Sequence, residues 1–180
     1  EEAQEIVISQ LPQSISGSTV EAADNYSAPS KSCPDQNYEY GEGGGDVVYK
    51  ITPTVTEAYA FSIPLTGADF DASLYIVSDC SDIADSCVNG DDKVGLGGES
   101  IVTQLEAGTT YYVIVDGYKD NQGDFKLDVS QCKANCDGKS CGSDGCGGTC
   151  GNCSGDKNCF DGKCVEKGCN GISFEGCCQG

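Results

Sequence analysis

Eleven of the 14 cysteines lie in residues 132–180. The other apolar side chains in that stretch are Ala134, Phe160, Val165, Ile172 and Phe174. So few residues cannot build a core that holds a fold, so the segment is either stapled by disulfides or disordered. The cysteine count is even and histidine is absent. A zinc site would have one C-x-x-C pair, Cys150 and Cys153, and no histidine to complete it. Disulfides in an oxidising compartment are the reading that follows. The chain contains no Met and starts Glu-Glu-Ala-Gln, which is neither basic nor apolar. The expectation is a mature, secreted, extracellular chain whose signal peptide has gone. No apolar run approaches the ~20 residues of a membrane helix.

Charge changes at the same place as cysteine content. Residues 1–131 carry 23 acids against 5 Lys, and residues 132–180 carry 6 acids against 5 Lys. The net charge is -19 with Arg absent, which removes the basic footprint that nucleic acid needs. Three parts are expected: an arm or strand at 1–11, a β-sandwich at 12–131 and a cysteine-rich disulfide module at 132–180.

Residues 12–131 read as short strands between Gly, Pro and Asp turns. Asp46 to Thr52, Glu57 to Pro64 and Asp124 to Ser130 alternate apolar and polar side chains. Ala72 to Ser78 and Ser100 to Leu105 have strand chemistry, and Ile15 to Val20 is a weaker candidate. Tyr111 to Asp116 is apolar on both faces, so it reads as the central strand. No segment has helical periodicity. The fold class expected is all-β: an antiparallel, jelly-roll-like β-sandwich plus a small, loop-rich, disulfide-stapled C-terminal module.

Residues 21–45 form a long loop, and Cys33 within it suggests a crosslink. Cys80 and Cys87 bracket six residues and are expected to pair. Cys33 then pairs with Cys132, unless it stays free for a bridge between chains. The remaining ten, Cys136, Cys141, Cys146, Cys150, Cys153, Cys159, Cys164, Cys169, Cys177 and Cys178, make five bridges of undetermined connectivity.

The motifs Asp46-Val47-Val48-Tyr49, Phe70-Asp71-Ala72-Ser73-Leu74-Tyr75, Ala107-Gly108-Thr109-Thr110-Tyr111-Tyr112, Asp116-Gly117 and Gly123-Asp124-Phe125-Lys126-Leu127 belong together. With Cys80, Cys87 and Asp91-Asp92, they resemble the bacterial pre-peptidase C-terminal domain family. Cys141-Gly-Ser-Asp-Gly-Cys146-Gly-Gly-Thr-Cys150-Gly-Asn-Cys153 is similar to EGF-like or knottin-like modules of secreted bacterial proteins. The resemblance implies a β-sandwich outside the cell, often appended to hydrolases and not itself catalytic. Some members of the family bind calcium.

Without histidine, Ser-His-Asp and Cys-His arrangements are impossible. No Ser-Lys or paired-carboxylate motif stands out, so an enzyme is not expected. Asp69, Asp71, Asp79, Asp82, Asp85, Asp91 and Asp92 crowd the loops around one strand. Of these, Asp69, Asp71, Asp91 and Asp92 are the candidate metal ligands, for Ca2+. The simpler reading is a solvated acidic surface. No cofactor is required. Ile6, Val7 and Ile8 form an apolar run ahead of the family-like portion. They are the candidate assembly residues, since a strand from a neighbour can complete an open sheet edge. The leading functional expectation is a non-catalytic, self-assembling subunit of an extracellular fibre or surface layer, with copies of itself as partner. The alternative is a calcium-assisted adhesion module for a surface carbohydrate or protein.

Overall fold

The computed structural model describes residues 3–34 and 39–167. The chain divides into two compact units, Glu1–Gln131 and Cys132–Gly180. The strands of the first are β1 (Gln4–Glu5), β2 (Gln13–Ser18), β3 (Val47–Ile51), β4 (Glu57–Ser62), β5 (Ala72–Val77), β6 (Cys87–Asp91), β7 (Ser100–Leu105), β8 (Tyr111–Gly117) and β9 (Asp124–Gln131). One sheet has the order β1-β3-β8-β5-β6 and the other β2-β9-β4-β7. All pairings are antiparallel except β1 with β3. Both sheets keep open edges, so the all-β reading stands and the jelly-roll detail gives way to a plain two-sheet packing.

β8 sits in the middle of its sheet. Tyr111, Val113 and Val115 enter the core between the sheets, beside Tyr49, Ile51, Leu74 and Ile76. Ile114 points the other way, as strand alternation requires. It joins an outer cluster of Ala28, Cys33, Tyr40, Tyr75 and Val77. The loop between β2 and β3 therefore covers the outer face of the sheet. Ala28 and Tyr40 close it by exchanging backbone hydrogen bonds of 3.0 Å.

A disulfide pins this cover, and its partners overturn two expected pairs. Cys33 is bridged to Cys87, 54 residues on, instead of to Cys132, and Cys80 keeps its thiol instead of pairing with Cys87. Cys87 opens β6 opposite Val77, and its side chain meets the outer cluster where the loop delivers Cys33. Cys80 packs against the same cluster. The loop ends over β6 rather than at the end of β9, so Cys132 is left for the second unit.

β6 has no strand-like pattern in its residues, Cys-Val-Asn-Gly-Asp, and lies at a sheet edge. Gly90 suits it for one reason: a side chain there would overlap the Tyr40 ring of the covering loop. The loop between β5 and β6 carries a four-residue helix, α1 (Ile83–Ser86), capped by the Asp82 side chain.

The N-terminal arm differs in detail from the expected strand at Ile6 to Ile8. Gln4 and Glu5 pair in parallel with Tyr49 and Lys50, and the Ile6 amide donates to the Lys50 carbonyl at 2.8 Å. Ile6 is then 1% exposed, inside the main core. Val7 turns outward, and Ile8–Gln10 form a 3-10 turn.

Among the described residues of the second unit four bridges interleave: Cys132–Cys146, Cys136–Cys150, Cys141–Cys159 and Cys153–Cys164. Cys169, Cys177 and Cys178 lie outside the described residues. A hairpin of β10 (Lys157–Phe160) and β11 (Lys163–Glu166) supplies regular structure. Its two-residue turn, Asp161-Gly162, has φ of 46° and 75°, as a type I′ turn requires.

Two stability predictions follow from this packing. Gly17 of β2 lies where a Cβ would overlap the Phe125 ring and the Tyr49 hydroxyl. Those two rings meet edge to face, with centroids 6.3 Å apart. Gly17→Ala lowers unfolding stability by ~1–3 kcal/mol through overpacking, as denaturant titration will show. Cys33→Ser with Cys87→Ser removes a long closed loop and lowers stability by about 4 kcal/mol. A cover that stays protected from hydrogen exchange in that double variant contradicts the pinning role.

Candidate functional site

The acidic residues singled out in the sequence separate into three kinds. Asp79 and Asp82 are spent locally. Asp79 Oδ1 accepts from the Ser81 amide at 2.8 Å and its hydroxyl at 2.7 Å, and these bonds hold its pKa below the usual value. Asp82 accepts from the Asp85 amide at 3.2 Å. Asp69 is spent on the fold: its Oδ1 accepts from the Asp124 amide at 2.9 Å, fixing the start of β9.

Asp71, Asp91 and Asp92 lie near enough at the base of the β6–β7 loop for their charges to act on one another, but among the described residues no three carboxylates bring their oxygens within 4.8 Å. Asp71 precedes β5, and its Oδ1 accepts from the Gly95 amide at 2.9 Å. Asp91 ends β6, and its Oδ2 accepts from the Ser100 amide at 2.7 Å and pairs with the Lys93 ammonium. Asp92 is pushed up to about 6, first by burial and then by the charges of Asp71 and Asp91. A fourth acid, missed in the sequence, joins them. Glu99 ends the same loop and is 1% exposed; neither carboxylate oxygen meets hydrogen-bond geometry, although its own amide and that of Lys93 lie close enough to pull on it. Burial and the Asp91 charge push it to about 7, against the opposing pull of Lys93 and nearby backbone amides. The signal missed was position: Glu99 directly precedes an apolar-alternating strand and follows two glycines, a place read as loop.

A separate buried acid lies under the covering loop. Asp116 of β8 is fully buried, and it accepts from the Tyr75 hydroxyl at 2.8 Å and the Gly117 amide at 2.7 Å. Gly41, at φ 71°, comes so close that any side chain would overlap the Asp116 carboxylate. Burial raises Asp116 to about 8, helped by the charges of Asp46 and Asp24, while the two hydrogen bonds pull it down. Asp46 is itself raised by burial, although it accepts from the amides of Asn25 and Tyr26. Tyr75 is raised well above its usual value by burial and by Asp116. Tyr75 and Asp116 are fully buried, with Tyr40 and Gly41 of the covering loop seated against them.

Among the described residues, three sulfurs, those of Cys141, Cys153 and Cys164, lie within 4.8 Å of one another. All three are in disulfides, so they lack the thiolate that binds zinc. Ile6, the first residue of the candidate assembly run, is inside its own sandwich. Among the described residues no helix is long and apolar enough to cross a membrane.

No protein family matches the chain, and no curated protein matches it. Solved structures do show likenesses. One is the pre-peptidase C-terminal domain of a collagenase from Bacillus anthracis, at 16% identity and TM-score 0.46, covering 72% of this chain and 96% of that one. Another is the periplasmic inhibitor of g-type lysozyme, PliG, from Aeromonas hydrophila, at 13% identity and TM-score 0.44, covering 71% and 94%. A third is a GH26-CBM35 β-(1,4)-mannanase from Podospora anserina, at 13% identity and TM-score 0.32, covering 67% and 28%.

Asp116 sets the sign of the pH dependence. Its folded value of about 8 stands above the ordinary 3.8, so the folded chain holds a proton that the unfolded chain releases. Its contribution is full below pH ~4 and is lost as pH rises towards 8. Scanning calorimetry at pH 8.5 should give a Tm at least roughly 5 °C below that at pH 5. Asp92 and Glu99, raised to about 6 and about 7, add to the slope with the same sign, so Asp116→Asn should flatten it chiefly above pH ~7, and a slope unchanged there removes Asp116 as a source.

Proposed function

We propose that this chain is a secreted, non-catalytic β-sandwich subunit that associates with copies of itself through its N-terminal arm. One observation carries the reading. The arm forms the outermost strand of its sheet over two residues, runs parallel where all other pairs are antiparallel, and lodges Ile6 in the core. Such a short ladder is a small fraction of the sheet, yet removing it uncovers both the β3 edge and an apolar socket. An equivalent arm from a second copy fits the same seat, which is strand addition at an open edge. Two further features support the reading. Histidine is absent, and the Tyr75–Asp116 pair is fully buried. A tail with almost no apolar core is held by interleaved bridges, a build suited to persistence in an oxidising extracellular setting.

A second reading, a monomeric binding module, has one observation in its favour. Leu65, Val94 and Leu96 are exposed, and Gly98 brings the β6–β7 loop against Leu65. Exposed apolar side chains on neighbouring loops suit contact with another surface.

Glu5 and Lys50 are register partners. In the double variant Glu5→Cys with Lys50→Cys, exchanged arms give a ladder of covalent oligomers on a non-reducing gel. Unmodified protein under the same conditions should form oligomers visible by electron microscopy, and deletion of residues 1–11 should abolish them. A strictly monomeric chain with bridges only within one molecule overturns the self-association reading and leaves the binding-module one.

A further inference from the structure

An edge strand presents a row of unpaired backbone N–H and C=O groups, and folded chains ordinarily blunt such edges by shortness, charge, proline, a bulge or a cover. Three of the four edge strands described in the first unit are blunted. β1 is two residues long. β6 shifts register against β5 between Ile76 and Val77. β7 has backbone groups taken by β6 side chains: the Ser100 amide donates to Asp91 at 2.7 Å, and the Val102 carbonyl accepts from the Asn89 side chain at 3.4 Å. β2 has none of these devices. Its six residues, Gln-Ser-Ile-Ser-Gly-Ser, include no charge and no proline. They pair one for one with β9, from Gln13 opposite Val129 to Ser18 opposite Asp124. Among the described residues, no backbone hydrogen bond other than those to β9 reaches Gln13–Ser18.

Charge decides what such an edge can meet. Residues 6–20 are the longest stretch of the chain without a charged side chain, and they lie between Glu5 and Glu21. The unit around them carries 23 acids against 5 Lys. Two copies repel wherever acidic surface faces acidic surface, so they approach most closely along this uncharged stretch. A cationic partner is drawn to the acids instead. The side chains of β2 also suit a copy of themselves. Ser14, Ser16 and Ser18 are exposed on one face, and Ile15 is half-buried on the other, at the rim of the core. Antiparallel pairing sets side chains of the same face opposite one another. Serine then meets serine, and Ile15 meets Ile15 or Gly17, with no like charges opposed.

We propose that β2 is an interface between copies, separate from the arm seat: it pairs antiparallel with β2 of a second copy about a twofold axis, joining the two four-stranded sheets into one. The same patch serves both partners, so the contact closes at two copies. It goes beyond arm exchange and needs none, since the arm is seated on the β3 edge of the other sheet. Where arms are exchanged as well, β2 pairing joins the arm-linked species in twos. The ladder is short and the two units repel. Association is therefore weak at low salt and tightens as salt shortens the reach of the charges.

The test is analytical ultracentrifugation of the full chain, disulfides intact, at up to about 0.5 mM protein in about 0.05 M and about 0.5 M NaCl. The wild type should pair, with an association constant at least roughly threefold higher at the higher salt. Two variants set the charge of the exposed serine face: Ser14→Lys with Ser16→Lys, and Ser14→Glu with Ser16→Glu. Each alone should pair at least about tenfold more weakly, because like charges then stand opposed across the axis. Mixed in equal amounts, the two should recover pairing. The lysine variant separates local from general charge: it lessens the overall repulsion between copies and should still pair less. A lysine variant that pairs as well as the wild type overturns the proposal, and so does a mixture that recovers nothing. Should a variant fail to fold, wild-type hydrogen exchange decides. The outward amides of residues 13–18 should slow at least roughly threefold between about 0.01 mM and about 0.5 mM protein, and rates that ignore concentration overturn the proposal. Failure of arm exchange reads differently. Assembly that persists in the lysine variant and is lost on deletion of residues 1–11 overturns β2 pairing and leaves arm exchange. Species that stop at two copies, while the crosslinks of Glu5→Cys with Lys50→Cys stay within one molecule, support β2 pairing and remove arm exchange.

Discussion

The first unit depends on covering β8 from both sides. A strand that carries Tyr111, Val113 and Val115 on one face and Ile114 on the other leaves apolar area in water unless two layers are supplied. The second sheet is one layer. The other is a loop, which lacks a ladder of its own and therefore needs another restraint. The described residues supply several, among them the Cys33–Cys87 bridge, the paired backbone groups of Ala28 and Tyr40, and the close seat of Gly41 on Asp116. The glycine-rich stretch and the buried Tyr75–Asp116 hydrogen bond are consequences of the same requirement. A carboxyl group can sit there because, as an acid near pKa 8, it is neutral at the pH where most proteins work.

Much of this was legible in the residues and some was not. Seven of the strands lie where alternation or two-sided apolar runs pointed, because burial of one or both faces leaves a period-two trace. β6 left no trace. It is an edge strand whose Gly90 is set by a tyrosine from a distant loop, and no local pattern encodes that. The disulfide partners were misjudged for a related reason. Sequence proximity favoured Cys80 with Cys87, but pairing follows the spatial path of the covering loop, which spacing does not reveal. The clustering of Asp71, Asp91 and Asp92 was readable as an excess of acids, whereas Asp69 is diverted by one backbone amide and Glu99 is buried by loop geometry.

The two units solve the problem of cohesion with different physics. In the sandwich, apolar burial between sheets supplies the driving force, and one bridge restrains a loop. In the second unit, bridges replace the core, and the hairpin turn Asp161-Gly162 provides the local order around which they close. The charge distribution accompanies this split: the acidic surplus lies almost wholly on the unit that has a core to spend against self-repulsion.

The interleaving of the four bridges in the second unit has a mechanical consequence. The segments spanned by Cys132–Cys146, Cys136–Cys150, Cys141–Cys159 and Cys153–Cys164 overlap without a gap from the first of these residues to the last. A protease that severs any one peptide bond between Cys132 and Cys164 therefore leaves both halves joined by sulfur. Tension along the chain is shared in the same way, since no unbridged joint exists there to part first. That stretch behaves as a riveted link, tolerant of nicks, whose weakness is a reductant rather than a cut.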